Sequence, residues 1–143
     1  MDPQRLIEFF ENGIPFNAHV GMRVEALQTG RCTLRLPFRP EWVGDPFRPA
    51  LHGGLMSTLA DAAGGLAVFS TVDQLGRVST VDMRIDFLRP GLLEDLWCEA
   101  WVVRAGNRVA VTTMRVFQKD GAHVPVEGRG VYNVIRAEGA ADG

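Results

Sequence analysis

Between Arg48 and Asp73 the chain carries a single charged residue, Asp61. The rest of that segment is mostly Leu, Ala, Gly, Met, Val and Phe, with a few hydroxyl residues. Pro49 lies behind it and His52-Gly53-Gly54 stands near its start, which predicts a helix over about 53–71. Leu55, Met56, Leu59, Ala60, Ala63, Leu66, Ala67, Val68 and Phe69 leave this helix no clean polar face. A helix that is apolar all round has to be enclosed. Its length would suit a membrane span, but its small and hydroxyl residues and Asp61 point to a buried helix instead. Burying an ionised carboxylate alone costs several kcal/mol or shifts its pKa. Asp61 is therefore either satisfied, by an arginine such as Arg84 or by Ser57 one turn earlier, or chemically useful.

The flanking sequence switches period. Cys32, Leu34, Leu36 and Phe38 alternate with Thr33, Arg35 and Pro37, and residues 21–27 can form a strand before them. Beyond the helix, Val81, Met83, Ile85 and Phe87 oppose Asp82, Arg84, Asp86 and Leu88, ending at Pro90-Gly91. Strands over 95–104, 108–118 and 124–136 follow, joined by turns at Gly106-Asn107 and Asp120-Gly121. Asp2-Pro3 predicts the start of a short helix over about 3–12, stopped by Asn12-Gly13. Residues 39–51, with Pro40, Gly44, Pro46 and Pro49, read as a loop, and the tail 137–143 as a frayed end. The expected architecture is α+β: one domain over 1–143, core about 15–136, with a long central helix wrapped by an antiparallel sheet of about six strands. One sheet covers a helix on one side only, so a second copy is expected to cover the rest.

Composition removes several functions. A net charge of −2 argues against a nucleic-acid partner. Asp2, Arg5 and Glu8 interrupt any N-terminal signal, so a cytoplasmic protein with no membrane partner is expected. Cys32 and Cys98 fall in strand-like runs and read as small core residues. His19, His52 and His123 are scattered, so no metal site is expected.

The start of the long helix carries the chemistry. Helix N-termini present free N–H groups and the positive end of the helix dipole, and glycine lets a substrate approach them closely. His52-Gly53-Gly54 is thus either an oxyanion site or only a glycine-rich turn that lets the helix begin. Gly53 and Asp61 are about 12 Å apart along a helix axis, too far to act on one carbonyl within one chain. If both serve one site they come from two subunits, with antiparallel helices across a two-fold axis.

The run Leu51-His52-Gly53-Gly54-Leu55-Met56-Ser57-Thr58-Leu59-Ala60-Asp61 resembles the hotdog-fold thioesterases of the phenylacetic-acid-degradation (PaaI-like) type. Ser79-Thr80-Val81-Asp82-Met83 and Phe87-Leu88-Arg89-Pro90-Gly91 extend the resemblance. It implies hydrolysis of acyl-coenzyme A thioesters in dimers or tetramers, with no cofactor beyond the coenzyme A of the substrate. It also implies that the Gly53 amide polarises the thioester carbonyl and that Asp61 of the other subunit is base or nucleophile. By the same resemblance Thr80 helps place water, and Asp45 stands near a family asparagine that contacts the carbonyl. An Asp donates only when protonated, so His52 is the substitute donor. Coenzyme A contacts are implied for Gly54, Asp82 and Phe87, for the hairpin Arg104, Gly106, Asn107 and Arg108, and for Asn133. The two arginines equally suit a solvated turn. Met56, Val68, Phe69 and the 39–51 loop are expected to shape the acyl pocket. A non-catalytic acyl-CoA binder on the same fold is the alternative reading; a dehydratase would need a different Asp/His pairing, and no His follows Asp61 at close spacing.

Overall fold

The computed structural model describes residues 2–72 and 76–136. Eight strands and three α-helices occur among them: α1 Pro3–Glu8, α2 Pro15–Val20, β1 Arg23–Gln28, β2 Arg31–Leu36, β3 Val43–Asp45, β4 Ala50–Leu51, α3 Gly53–Phe69, β5 Arg77–Phe87, β6 Leu96–Ala105, β7 Val109–Gln118 and β8 His123–Ile135. Six strands form one antiparallel sheet in the order β1-β2-β6-β7-β8-β5, which wraps α3. This is the hotdog fold.

Alternation places the core. Cys32, Leu34 and Leu36 of β2, Leu96, Cys98 and Ala100 of β6, and Met114 and Val116 of β7 are buried against Leu59, Ala60, Ala63 and Ala67 of α3. Both cysteines are free thiols, and burial pushes that of Cys32 up to about 12. The helix stops where Ser70 and Thr71 turn their hydroxyls back onto the carbonyls of Ala67 and Val68, each at 2.7 Å. The N–H of Gly30, in the β1–β2 turn, also donates to the Ser70 hydroxyl at 2.8 Å. No helix of the described residues is long and apolar enough to cross a membrane.

Three expectations change. The helix expected over 3–12 is α only to Glu8; Phe9–Gly13 form a π turn, and α2 follows. The reason is tertiary: the buried Asn17 amide donates to the Phe10 carbonyl at 3.1 Å. Buried Glu11 accepts from the Val24 N–H at 2.7 Å, tying the turn to β1. The 39–51 loop contains a 3-10 turn at Pro40–Trp42 and the β3–β4 hairpin, pairing Val43 with Leu51. On β5 the pairing shifts between Thr80 and Asp82; Met83 and Ile85 are half-buried, but Val81 and Phe87 are 63% and 56% exposed. The frayed tail expected at 137–143 lies outside the described residues.

Candidate functional site

The β3–β4 hairpin delivers His52 to the head of α3. The His52 N–H donates to the Trp42 carbonyl at 2.8 Å, and Gly44 is packed against the His52 backbone. His52 is the helix N-cap: its ring Nδ1 accepts from the Gly54 N–H at 2.9 Å. Nδ1 is thus the acceptor, and the tautomer that makes this bond carries its N–H on Nε2. Because His52 takes up Gly54, the first-turn donor offered to a ligand is the N–H of Gly53. A Cβ on Gly53 would come to 3.0 Å from the ring of Phe87, so glycine is what lets Phe87 lie over this turn.

Asp61 has neither partner considered from sequence. Arg84 pairs with Asp86 at 3.2 Å, and the Ser57 hydroxyl donates to the Gly53 carbonyl at 3.2 Å. Instead, Thr80 Oγ1 of β5 donates to Asp61 Oδ1 at 2.7 Å. The Tyr132 hydroxyl of β8 lies 3.2 Å from the same Oδ1 and 3.0 Å from the Asp61 carbonyl, its single proton shared between them. Both donors converge on Oδ1, so the lone pairs of Oδ2 remain for a ligand. Burial, reinforced by the neighbouring Asp61 carboxylate, pushes the Tyr132 hydroxyl well above the ordinary tyrosine range, and it stays protonated as a donor. The ring occupies a slot between α3 and β8 made by two glycines. A Cβ on Gly64 would collide with its hydroxyl, and one on Gly130 would sit 2.5 Å from its Cε2.

Tyr132 is the residue that sequence reading missed. It is the chain's one tyrosine, standing between Val131 and Asn133 at a strand position that reads as core. The β5–β8 register puts Thr80 directly opposite it.

The other candidate residues separate into places. Asp45 accepts from the N–H groups of Phe47 and Arg48 at 2.9 and 3.1 Å, and those bonds, that of Arg48 foremost, hold its carboxyl below the usual range. It is therefore an ionised turn-former with no proton to donate to a carbonyl. Asp82 is exposed on β5. Arg104, Gly106, Asn107 and Arg108 lie at the exposed β6–β7 turn, where Asn107 Oδ1 accepts from Arg136 Nε at 3.2 Å. Asn133 sits opposite both Ser79 and Val109, on the face of β8 away from Tyr132. Gly53 with Phe87, and Asp61 with Thr80, thus lie at two separate places on one chain.

Asp61, Thr80 and Tyr132 also line a cavity of about 970 Å³. Its walls include Leu66 and Phe69 of α3 and Phe9, Phe10 and Phe16 from the N-terminal helices. Of the pocket residues expected from sequence only Phe69 lies on it; Met56 and Val68 are buried in the core, and no residue of the 39–51 loop reaches it. The loop is taken up instead in holding His52. Among the described residues no cluster of three or more His, Cys, Asp or Glu could hold a metal ion.

The Thioesterase superfamily matches residues 49–124, a span that includes the head of α3, Asp61 and Thr80. The chain belongs to that superfamily. It is 32% identical over 130 residues to the medium/long-chain acyl-CoA thioesterase YigI of Escherichia coli K12, covering 82% of this chain and 84% of YigI. It is 34% identical over 143 residues to a putative esterase of Halobacterium salinarum, covering 94% of each. A thioesterase family protein of Silicibacter pomeroyi superposes with a TM-score of 0.84 at 26% identity, covering 94% of this chain and 98% of that one.

Proposed function

We propose that this protein hydrolyses acyl-coenzyme A thioesters to the free acid and coenzyme A, as a PaaI-like thioesterase of the cytoplasm. The carrying observation is the asymmetric hold on Asp61: Thr80 and Tyr132 both donate to Oδ1, no side-chain donor among the described residues meets Oδ2, and Asp61 lines a cavity. Similarity to YigI, itself named an acyl-CoA thioesterase, supports the substrate class.

In this reading the site is shared by two copies of the chain. Gly53 and Asp61 lie on one helix, about 12 Å apart along its axis. Reacting groups must approach to about 3–3.5 Å. Two-fold pairing of antiparallel α3 helices brings Gly53 of one copy to Asp61 of the other and makes two equal sites. The free edge of β5, with exposed Val81, Phe87 and Leu88, is the surface we assign to the partner. Dimers could pair again into tetramers.

The thioester carbonyl accepts from the Gly53 N–H, aided by Nε2–H of His52. Oδ2 of Asp61 takes a proton from water, and the water oxygen adds to the carbonyl carbon. The oxyanion is held at the helix terminus, then collapses and expels the thiolate, which receives the proton from Asp61. A thiol of pKa about 8.5 leaves readily, so no Ser-His-Asp triad is required. In the alternative order Oδ2 attacks the carbonyl and displaces the thiolate, and water then adds at the Asp61 carbonyl of the resulting anhydride, releasing the acid and giving a proton to the thiolate. Single turnover in ¹⁸O-water separates the two, because only the second labels Asp61. Asp82, Gly54, Phe87, Arg104, Gly106, Asn107, Arg108 and Asn133 are proposed to track coenzyme A, the arginines meeting its phosphates. Asp45 acts only through the loop that carries His52.

Thiol release from a panel of acyl-CoA thioesters tests this reading. Asp61→Asn is expected to abolish turnover with the fold intact. Tyr132→Phe, which removes one donor from Oδ1, is expected to lower kcat about tenfold at nearly constant KM. Acyl-CoA binding without thiol release from any substrate would instead favour a non-catalytic binder.

A further inference from the structure

Glu11, Asn17, Thr112 and Gln118 are buried polar side chains. Three of them are matched to strong partners. Glu11 accepts from the Val24 N–H, and Asn17 donates to the Phe10 carbonyl. Gln118 accepts from the Leu92 N–H and donates to the Leu92 carbonyl, each at 2.9 Å. Thr112 is different. It is fully buried, and its hydroxyl donates to the Met114 thioether at 3.0 Å. Sulfur is a weak acceptor, so a hydroxyl taken out of water is left with a proton that is poorly used.

A better acceptor stands beside it. Thr112 of β7 lies opposite Gly130 of β8, and Ala110 lies opposite Tyr132, so Thr112 and Tyr132 are diagonal neighbours on one face of the sheet. Their oxygens bracket the same two glycines. A Cβ on Gly130 would stand 3.0 Å from each of them, and one on Gly64 would stand 3.0 Å from the Thr112 oxygen while striking the Tyr132 hydroxyl. Burial, with Asp61 beside it, pushes the Tyr132 phenol up; the Thr112 hydroxyl works the other way, as a donor to the phenol oxygen does. The phenol proton itself has two acceptors, the Asp61 carbonyl at 3.0 Å and Oδ1 at 3.2 Å. A donor behind the phenol polarises its O–H and strengthens the bond it makes to a charged oxygen.

We propose that Thr112 is a positioning residue for Asp61: from the floor of the glycine slot its hydroxyl donates to the Tyr132 oxygen, which keeps the phenol proton on Oδ1 and leaves Oδ2 as the reacting oxygen. The relay runs from Thr112 to Tyr132 to Asp61, and Thr80 closes on the same Oδ1 from β5. Thr112 does not line the cavity beside Asp61, so it acts only through the phenol. The Met114 sulfur is the competing acceptor. Without it Thr112 turns wholly to the phenol, so the relay does not depend on Met114. The part given to Asp61 rests on the thioesterase reading; the bond between the two hydroxyls does not.

Tyr132 is the chain's one tyrosine, so a tyrosine label carrying ¹³C at Cζ gives the full-length protein one resonance that reports the phenol directly. Thr112→Val keeps the β-branch of threonine and removes the hydroxyl. It is expected to shift that resonance and to lower kcat for octanoyl-CoA about three- to fivefold at nearly constant KM. Thr112→Ser keeps the hydroxyl and should bring most of both back. In a Tyr132→Phe background Thr112→Val should cost nothing further, because the relay is already cut. Should Thr112→Val fail to fold, Thr112→Cys, with only a weak thiol donor, carries the same expectations. An unmoved tyrosine resonance in a folded variant would overturn the inference. So would losses of kcat that multiply independently in the double variant, or a serine variant no better than valine; each makes Thr112 a packing residue only. If wild type releases no thiol from any acyl-CoA, the thioesterase reading fails by itself, and the tyrosine resonance still decides whether Thr112 donates to Tyr132.

Discussion

Strands β5 and β7 are nearly the same length and carry similar alternations of apolar and polar residues, yet they serve different ends. In β7 every second residue is buried, Ala110, Thr112, Met114, Val116 and Gln118, and both edges are paired. In β5 no residue is fully buried, one edge is free, and the pairing with β8 slips at Val81. β7 spends its side chains on the core. β5 holds Thr80 against Asp61 and Phe87 over Gly53, and it leaves a row of unpaired backbone groups at the surface. Position within the sheet, and not the residue pattern, separates the strand spent on the core from the strand that meets Asp61 and Gly53.

The largest expected effect breaks that contrast at β5. Val81→Lys places a charge on its free edge and is expected to abolish assembly and thiol release while far-ultraviolet circular dichroism stays unchanged. Sedimentation should then give the single-chain mass of 15.7 kDa. An unchanged assembly would move the partner surface elsewhere. Met114→Ala probes β7 from the opposite direction. Met114 is fully buried, so truncation is expected to cost about 2–5 kcal/mol in urea denaturation. The activity of the remaining folded protein should not change; a matching loss of kcat would show that β7 reaches the site.

The smallest effect is pH-dependent. Burial raises the pKa of Cys32, Cys98 and Tyr132 in the folded chain. Each therefore loses its proton first in the unfolded chain, so stability is complete below the ordinary thiol value near 9.0 and declines as pH rises past it. The urea midpoint should be flat from about pH 6 to 8 and fall above about 9. A midpoint that rises with alkali would contradict the burial of these groups.

Much of this protein can be read from residue spacing. Strands β2, β6, β7 and β8 and helix α3 are long enough for their periods to stand out, and His52-Gly53-Gly54 marks its own helix start. Short elements are harder to read. α2 is too brief for a period, although Pro15 at its first turn and Gly21 after its end, at φ +80°, are usable stop and start signals. The π turn has no local signature, because it depends on Asn17 reaching back to Phe10. The β3–β4 hairpin was hidden by prolines that resemble a plain loop.

The sequence by itself determined the wrapped helix, its terminal donor and the isolation of Asp61, because local periodicity and charge spacing are properties of neighbours along the chain. Only the tertiary structure decided what meets Asp61. Tyr132 is seventy-one residues away in sequence and Thr80 nineteen. They converge on one carboxylate oxygen because β5 and β8 pair in one register and two glycines open a slot for the ring. Such a convergence depends on register and packing, which no single segment encodes.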